Sequence, residues 1–179
     1  SKAEEVAKRV EDLAREDIKL AERAAREVER LARENIKLAR EVAKRVEELA
    51  RRLIEAARRG DAREEVAKRA ADTVRKLLEE LRRENKKSAE RAKELAERAR
   101  KHTEEALREV KKLLEDARRE GADEKALKDA EDAARKAAED SERAIERAER
   151  AAKDALKKSE DAAEEAKRAA DKALEDAAR

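Results

Sequence analysis

The amino-acid sequence predicts an all-α fold, a single-chain antiparallel up-down-up bundle of three long, nearly straight helices. Three observations predict it. Charged residues make up 55% of the 179 residues, while aromatic residues, cysteine, methionine and proline are absent. The only two glycines, Gly60 and Gly121, divide the chain into thirds of nearly equal length. Within each third, apolar residues recur on one face of a 3.6-residue helix, which is the pattern of amphipathic helices.

The charge balance favours folded helices over disorder. A composition dominated by Ala, Glu, Lys, Leu and Arg is typical of long helices or coiled coils. Disordered chains usually combine low hydrophobicity with a high net charge. Here 50 basic residues nearly balance 48 acidic ones, which leaves a net charge of +2. The charges can therefore pair, and we expect a soluble protein whose localisation the sequence does not indicate.

The first joint combines a helix stop with a helix start. Arg58 and Arg59 precede Gly60, and cations are favourable at the negative end of a helix dipole. Gly60 can adopt the left-handed conformation that commonly ends a helix. Asp61 then serves as the N-cap of the next helix, with Glu64 completing a capping box.

The second joint and the chain start follow the same logic. Gly121 is predicted to end the second helix, and Asp123 is predicted to cap the third. Ser1 and Glu4 have the spacing of a capping box at the start of the first helix. We therefore predict helices over residues 2–59, 62–120 and 123–178 within a single domain, 1–179. Connections this short make sequential helices antiparallel neighbours.

The apolar positions repeat every 18 residues. Eighteen residues at 3.6 per turn make five whole turns, so each side chain returns to its starting angle. A seven-residue repeat would instead impose a left-handed supercoil. The repeat therefore predicts straight helices in an untwisted bundle. In the first helix it relates the sets Val10, Val28 and Val46; Leu13, Leu31 and Leu49; and Ile18, Ile36 and Ile54.

Through this repeat, the Gly/Asp joints and the restricted set of amino acids, the whole chain resembles parametrically designed, untwisted helical bundles from de novo protein design. The resemblance implies a designed structural protein without a natural biochemical function. It would be a scaffold, a rigid helical rod in which buried hydrogen-bond layers fix the register. It implies no enzyme activity and no cofactor.

Polar residues interrupt the apolar face of every helix at matching positions. With the chain folded at its joints, residue i of the first helix lies level with about residue 121−i of the second and i+122 of the third. We therefore predict two polar layers inside the core, one repeat or about 27 Å apart. The Asp17 layer contains Asp17, Thr103 and Ser141, and the Asn35 layer contains Asn35, Asn85 and Ser159.

These layers are interpreted as hydrogen-bond networks that fix register and helix pairing. An isolated buried polar group costs about 1–3 kcal/mol, whereas hydroxyls, amides and a carboxylate can satisfy one another. The alternative is that the six residues lie on the surface. Ser88 lies inside the apolar arc of the second helix. It would either join the Asn35 layer or bond back to its own helix.

The single histidine, His102, lies level with Asp17 and Ser141. Asp, His and Ser together suggest the triad of a hydrolase, but no glycine turn or helix N-terminus at this level offers amide donors for an oxyanion hole. The repeat mates of His102 are Glu84 and Glu120, typical surface residues. We therefore expect a half-exposed residue at the edge of the core; a hydrogen bond from His102 into the Asp17 layer is the alternative.

The third helix carries a flank of small residues. Its main interpretation is close approach of neighbouring helices. The alternative function is an interaction module that self-assembles, or binds a designed partner chain, through this face. No partner is required by the main interpretation. The flank consists of Ala126, Ala133, Ala137, Ala144, Ala151, Ala155 and Ala162.

Other classes of ligand and family are not favoured by the sequence. One histidine and no cysteine give no metal-ligand pattern, and there is no basic stripe or aromatic platform for nucleic acid. Neither a membrane nor a small-molecule site is expected. Spectrin-like repeats are also three-helix units, but they have shorter helices and rely on core aromatics. Residues 151–166 resemble late-embryogenesis-abundant proteins, which favour an eleven-residue period.

Overall fold

In the computed structural model the described residues form three α-helices. The structure describes residues 1–60 and 63–178. Helix α1 spans Lys2–Arg59, α2 spans Arg63–Arg119 and α3 spans Glu124–Ala178. The predicted three-helix, all-α class is confirmed. The predicted second helix extended to residue 120 and the predicted third began at 123, each one residue beyond the observed helix.

The chain divides into two compact units, and each contains part of every helix. Unit 1 comprises Ser1–Glu29 and Arg91–Ala151, and unit 2 comprises Arg30–Glu90 and Ala152–Arg179. In both units the segment of α2 is antiparallel to the segments of α1 and α3. The single domain predicted over 1–179 stays a prediction.

The core of unit 1 takes three apolar residues from each helix. At one level the start of α1, the end of α2 and the start of α3 meet, which is the antiparallel arrangement that short joints require. A second, smaller cluster consists of Ala21, Ala96, Ala99 and Ile145. The larger cluster contains Val6, Val10 and Leu13 of α1, Val110, Leu114 and Ala117 of α2, and Leu127, Ala130 and Ala134 of α3.

The core of unit 2 is built on the same plan. The buried apolar residues that α3 contributes to it are all alanine, so larger side chains of α1 and α2 fill the space opposite. Leu53 forms a further cluster with Ala173 and Ala177. The main cluster contains Ala39, Val42 and Val46 of α1, Val74, Leu78 and Leu81 of α2, and Ala166 and Ala170 of α3.

Both glycines take the left-handed backbone conformation, with φ of 73° at Gly60 and 81° at Gly121. The N–H of Gly121 donates to the carbonyl of Arg118 at 3.1 Å, and that of Ala122 donates to Ala117 at 3.0 Å. These two bonds form a Schellman motif, which satisfies carbonyls at the end of α2. The N–H of Gly60 likewise donates to the carbonyl of Ala57 at 3.2 Å.

The starts of α1 and α3 are capped by side chains. The hydroxyl of Ser1 accepts from the N–H of Glu4 at 3.3 Å, and the carboxylate of Asp123 accepts from the N–H of Ala126 at 3.3 Å. Each bond satisfies an N–H that has no partner within the helix. The proposed cap Asp61 lies outside the described residues. Over residues 1–60 and 63–178, no helix is long and apolar enough to cross a membrane.

Candidate functional site

The Asp17 layer lies in unit 1, with one residue on each helix. Asp17 of α1 is only 3% exposed and Ser141 of α3 is buried, while Thr103 of α2 is half-buried. In the sequence each of them stands where an apolar residue would continue the stripe. A carboxylate in such a place requires hydrogen-bond donors, because burying an unpaired charge costs far more than burying a neutral polar group.

Donors from the two other helices surround the Asp17 carboxylate. The hydroxyl of Thr103 lies 3.0 Å from Oδ1 and 2.9 Å from Oδ2, and the hydroxyl of Ser141 lies 3.1 Å from Oδ2. The Thr103 hydroxyl also lies 3.2 Å from the carbonyl of Ala99. Its single proton can serve one acceptor at a time, and the charged carboxylate is the stronger acceptor. Asp17 thereby links α1 to α2 and to α3.

His102 adds a third donor to the same carboxylate. Its Nδ1 lies 2.8 Å from Oδ1 of Asp17, so the tautomer with a proton on Nδ1 donates to the carboxylate. The side chain of His102 is 38% exposed, against 4% for that of Asp17. The residue therefore lies at the edge of the core and also contacts the Asp17 layer.

The connectivity of these groups does not match that of a hydrolase triad. In a triad the histidine lies between the serine and the acid, so that it can take the proton of the nucleophile. Here Asp17 lies in the middle: Ser141 donates to Oδ2 and His102 contacts Oδ1. Ser141 is 1% exposed, which leaves its hydroxyl inaccessible to a substrate. The arrangement can hold helices together but is unsuited to nucleophilic chemistry.

The Asn35 layer lies in unit 2 and contains no charged residue. The amide Nδ2 of Asn85 donates to the hydroxyl of Ser159 at 2.8 Å, and that hydroxyl lies 3.1 Å from Oδ1 of Asn85. Both residues are buried. This pair links α2 to α3.

Asn35 and Ser88 do not take part in that pair. Asn35 is 7% exposed, and its side chain makes no hydrogen bond within the described parts of the chain. Among the described residues no fully buried side-chain N or O atom lacks a partner, so the amide atoms of Asn35 keep contact with solvent. Ser88 is half-buried, and among the described residues it bonds neither to the layer nor to its own helix. The structure therefore brings together two of the three residues predicted for this layer.

Sequence reasoning missed two arginines that connect α2 to α3 in unit 1. Nε of Arg100 lies 3.0 Å from Oε1 of Glu142, and Nη1 lies 3.0 Å from Oε2 of Glu149. Nε of Arg118 lies 3.1 Å from Oε1 of Glu124, and Nη2 lies 3.1 Å from Oε2 of Glu131. We call these two sets the Arg100 clamp and the Arg118 clamp.

The clamps affect the titration of their arginines. Hydrogen bonds to Glu149 and then Glu142 raise the pKa of the Arg100 guanidinium above its ordinary value. Those to Glu124 and then Glu131 raise the pKa of Arg118. In both cases the hydrogen bonds to the carboxylates stabilise the charged form of the guanidinium more than its neutral form. Both arginines therefore remain charged wherever the helices are folded.

The alanine flank of α3 differs along its length in exposure. Ala137 and Ala155 are buried, whereas Ala133 and Ala151 are exposed. Ala126, Ala144 and Ala162 are half-buried. In unit 1 a groove between α1 and α3 runs past Ala7, Val10, Ala130 and Ala133.

Within residues 1–60 and 63–178, no group of three or more His, Cys, Asp or Glu side chains is arranged to hold a metal ion.

Comparison with known proteins gives a fold and no family. No protein-family model and no curated protein matches the chain. A solved structure described as a "Computationally designed three helix bundle" matches with a TM-score of 0.54 at 18% sequence identity. The match covers 98% of this chain and 85% of that one. The likeness shows that the chain has the fold of a three-helix bundle.

Proposed function

We propose that this chain is a designed structural scaffold without a natural biochemical function, and that it is not an enzyme. Its role is to hold three long helices in one register, as a rigid rod to which other parts could be attached. The fold it shares with a computationally designed three-helix bundle supports the proposal. The 18-residue repeat supports it as well, because each helix keeps its apolar positions at one angle over its whole length.

One observation carries the proposal, namely the Asp17 carboxylate that accepts from Thr103 of α2 and Ser141 of α3. A helix whose apolar stripe repeats can pack against its neighbours in several shifted or rotated arrangements with similar apolar burial. In most of these a buried carboxylate would lose its donors. Leaving such a charge unpaired costs about 3–5 kcal/mol, so the Asp17 layer penalises the wrong arrangements and thereby selects one.

The test replaces the whole layer by apolar residues of similar size. D17L/T103V/S141A removes the buried carboxylate together with both hydroxyls, and only His102 loses a partner. The side chain of His102 is 38% exposed, so water can replace that bond, and we expect stability equal to or above that of the parent. We expect the variant to lose its single helix arrangement and to populate several. Spin labels on Glu16→Cys and Glu105→Cys, both at exposed positions on α1 and α2, would report this by pulsed electron resonance. The chain contains no cysteine, so labelling is specific.

The parent should give one narrow distribution of label distances, and the triple variant should give several peaks or a broad one. A matched control is T73V/S88A, which makes the same Thr→Val and Ser→Ala changes on α2. Thr73 donates to the Arg69 carbonyl of its own helix, and Ser88 makes no hydrogen bond in the described part of the chain. If the triple variant kept the parent's single narrow peak, oligomeric state and stability, the layer would have no role in specificity.

The second candidate function is an interaction module, and the exposure of Ala133 and Ala151 on α3 favours it. Solution mass separates the two candidates. Light scattering after size exclusion, detected by refractive index because no residue is aromatic, should give a single species near 20.3 kDa for a self-contained scaffold. A discrete dimer or larger ring would favour assembly. In that case A133E and A151E should each shift the mass back toward the monomer.

A further inference from the structure

The Arg100 and Arg118 clamps share one geometry. In each, Nε of the arginine donates to the first glutamate and an Nη nitrogen donates to the second, which lies seven residues later on α3. Arg118 lies 18 residues after Arg100, while its glutamates lie 18 residues before those of Arg100. Because α2 and α3 run in opposite directions, equal and opposite offsets keep both clamps in one register.

Ion pairs within a single helix of unit 1 have a different character. Arg91 and Arg98 both pair with Glu94 of their own helix, as i,i+3 and i,i+4 neighbours on a helix do. Such pairs form in any packing of the helices. Arg100 reaches across to α3 and is partly shielded, with 34% of its side chain exposed. Its pairs therefore exist only when α2 and α3 are correctly aligned.

A shift of α3 by one turn would remove these pairs. In one direction the shift places Arg118 opposite Lys128 and Arg135 in place of its two glutamates. In the other direction it places Arg100 opposite Ala138 and Ile145. In the first direction Arg100 would meet Glu146 and Lys153, which is one carboxylate in place of two. The first shift therefore brings like charges together and the second leaves a guanidinium against apolar side chains, so both are disfavoured.

We propose that Arg100 and Arg118 are positioning residues that fix the register of α3 against α2 in unit 1. This proposal rests on the proposed scaffold function and extends it. The Asp17 layer acts from inside the core, whereas the clamps act from the edge of the α2–α3 pair through charges. The two devices share no residue, so each can be removed while the other is kept.

The experiment compares two charge reversals that are two residues apart on α2. R100E removes the guanidinium and places a third carboxylate beside Glu142 and Glu149. R98E makes the same change of charge at an arginine that pairs within its own helix. Arginine and glutamate are both good helix formers, so neither substitution changes helix propensity much. The rescue variant R100E/E142R/E149R restores opposite charges across the helices.

Stability would be measured by urea unfolding, since urea leaves the ionic strength free to vary. In low salt we expect R100E to lower the midpoint by about 0.5 M more than R98E does. One molar salt should largely remove this difference, and the rescue variant should recover at least half of the loss. Equal midpoints for R100E and R98E, or no recovery in the rescue variant, would overturn the proposal.

Register itself would be measured with spin labels on Lys112→Cys of α2 and Lys136→Cys of α3, both at exposed positions. A one-turn shift moves a helix by about 6 Å along its axis, so R100E should add a second distance that R98E and the rescue variant lack. An R100E distribution identical to the parent's would refute a role in register. The variant D17L/T103V/S141A with both clamps intact tests the scaffold separately. Loss of uniqueness there, with no effect of R100E, would overturn the clamps and leave the Asp17 layer standing.

Discussion

Units 1 and 2 are built from the same repeat but hold their helices with different chemistry. In unit 1 a buried carboxylate accepts from Thr103, Ser141 and His102, and two arginines connect α2 to α3. In unit 2 the matching positions carry a neutral pair, Asn85 and Ser159. The comparison shows that an 18-residue repeat determines where a polar residue falls, while the residue type determines how strongly that position constrains its neighbours.

The difference follows from the cost of leaving each group unpaired. A buried carboxylate without donors costs several kcal/mol, whereas an unpaired neutral amide or hydroxyl costs about 1–3 kcal/mol. The Asp17 layer should therefore discriminate against wrong helix arrangements more strongly than the Asn85–Ser159 pair does. Two variants test this ranking directly, and two further variants extend the comparison of the two units.

The largest effect is expected when Asp17 is kept and its donors are removed. In T103V/S141A the carboxylate loses two of its three donors and retains only His102. A hydrogen bond to a charged group contributes about 1.5–3 kcal/mol, so we expect the free energy of unfolding to fall by about 3–5 kcal/mol. Urea unfolding measures the change, and hydrogen exchange should show lost protection in unit 1. The control T73V/S88A should change stability by about 0.5 kcal/mol or less. Equal losses in the two variants would mean that the Asp17 carboxylate does not depend on these hydroxyls.

A smaller loss is expected from the same kind of change in unit 2. S159A removes the only described partner of the Asn85 side chain, so a buried neutral amide loses its bonds at a cost of about 1–3 kcal/mol. S88A is the matched control, because Ser88 makes no hydrogen bond in the described residues. A loss as large as that of T103V/S141A would contradict the ranking of the two units.

Asn35 should respond in the opposite direction. Its side chain makes no hydrogen bond within the described ranges, and its amide atoms keep solvent contact, since no buried side-chain N or O atom there lacks a partner. N35L therefore breaks no protein hydrogen bond and adds apolar area to the core, which should raise the free energy of unfolding by about 1 kcal/mol. The same urea measurement applies. A loss of stability would instead indicate that Asn35 bonds to Asn85 or Ser159 in solution, as the sequence predicted.

Much of this arrangement can be derived from the sequence, because the repeat and the two glycines determine both angle and level along each helix. That reasoning is sufficient to bring Asp17, Thr103 and Ser141 together. It does not show that Asn35 lacks a partner. Level and angle place side chains to within a turn, whereas a hydrogen bond depends on tenths of an ångström and on the rotamer.

The clamps were missed for a different reason. Exposed ion pairs are numerous on this surface and individually weak, so no single arginine stands out. The same level rule nevertheless places Arg100 beside residue 143, within about two turns of both Glu142 and Glu149. Searching for charged residues with equal and opposite 18-residue offsets on two antiparallel helices would have found both clamps.

The smallest effect concerns the place where this charge pattern stops. In unit 2 the third repeat carries Arg82 and Glu160, but Lys167 stands where the second glutamate would be. Arg82 has no ion-pair partner in the part of the chain that the structure describes. K167E should complete a third clamp and raise the free energy of unfolding by a few tenths of a kcal/mol in low salt.

The K167E gain must be separated from simple removal of a positive charge near Arg82. K167Q provides that control, and R82Q with R82Q/K167E closes a double-mutant cycle that isolates the pairwise energy. A favourable coupling that disappears in 1 M salt would show that the clamp can be transferred to unit 2 through the repeat alone. A coupling of zero would mean that the partial shielding of Arg100, and not the spacing of the charges, makes the clamp effective in unit 1.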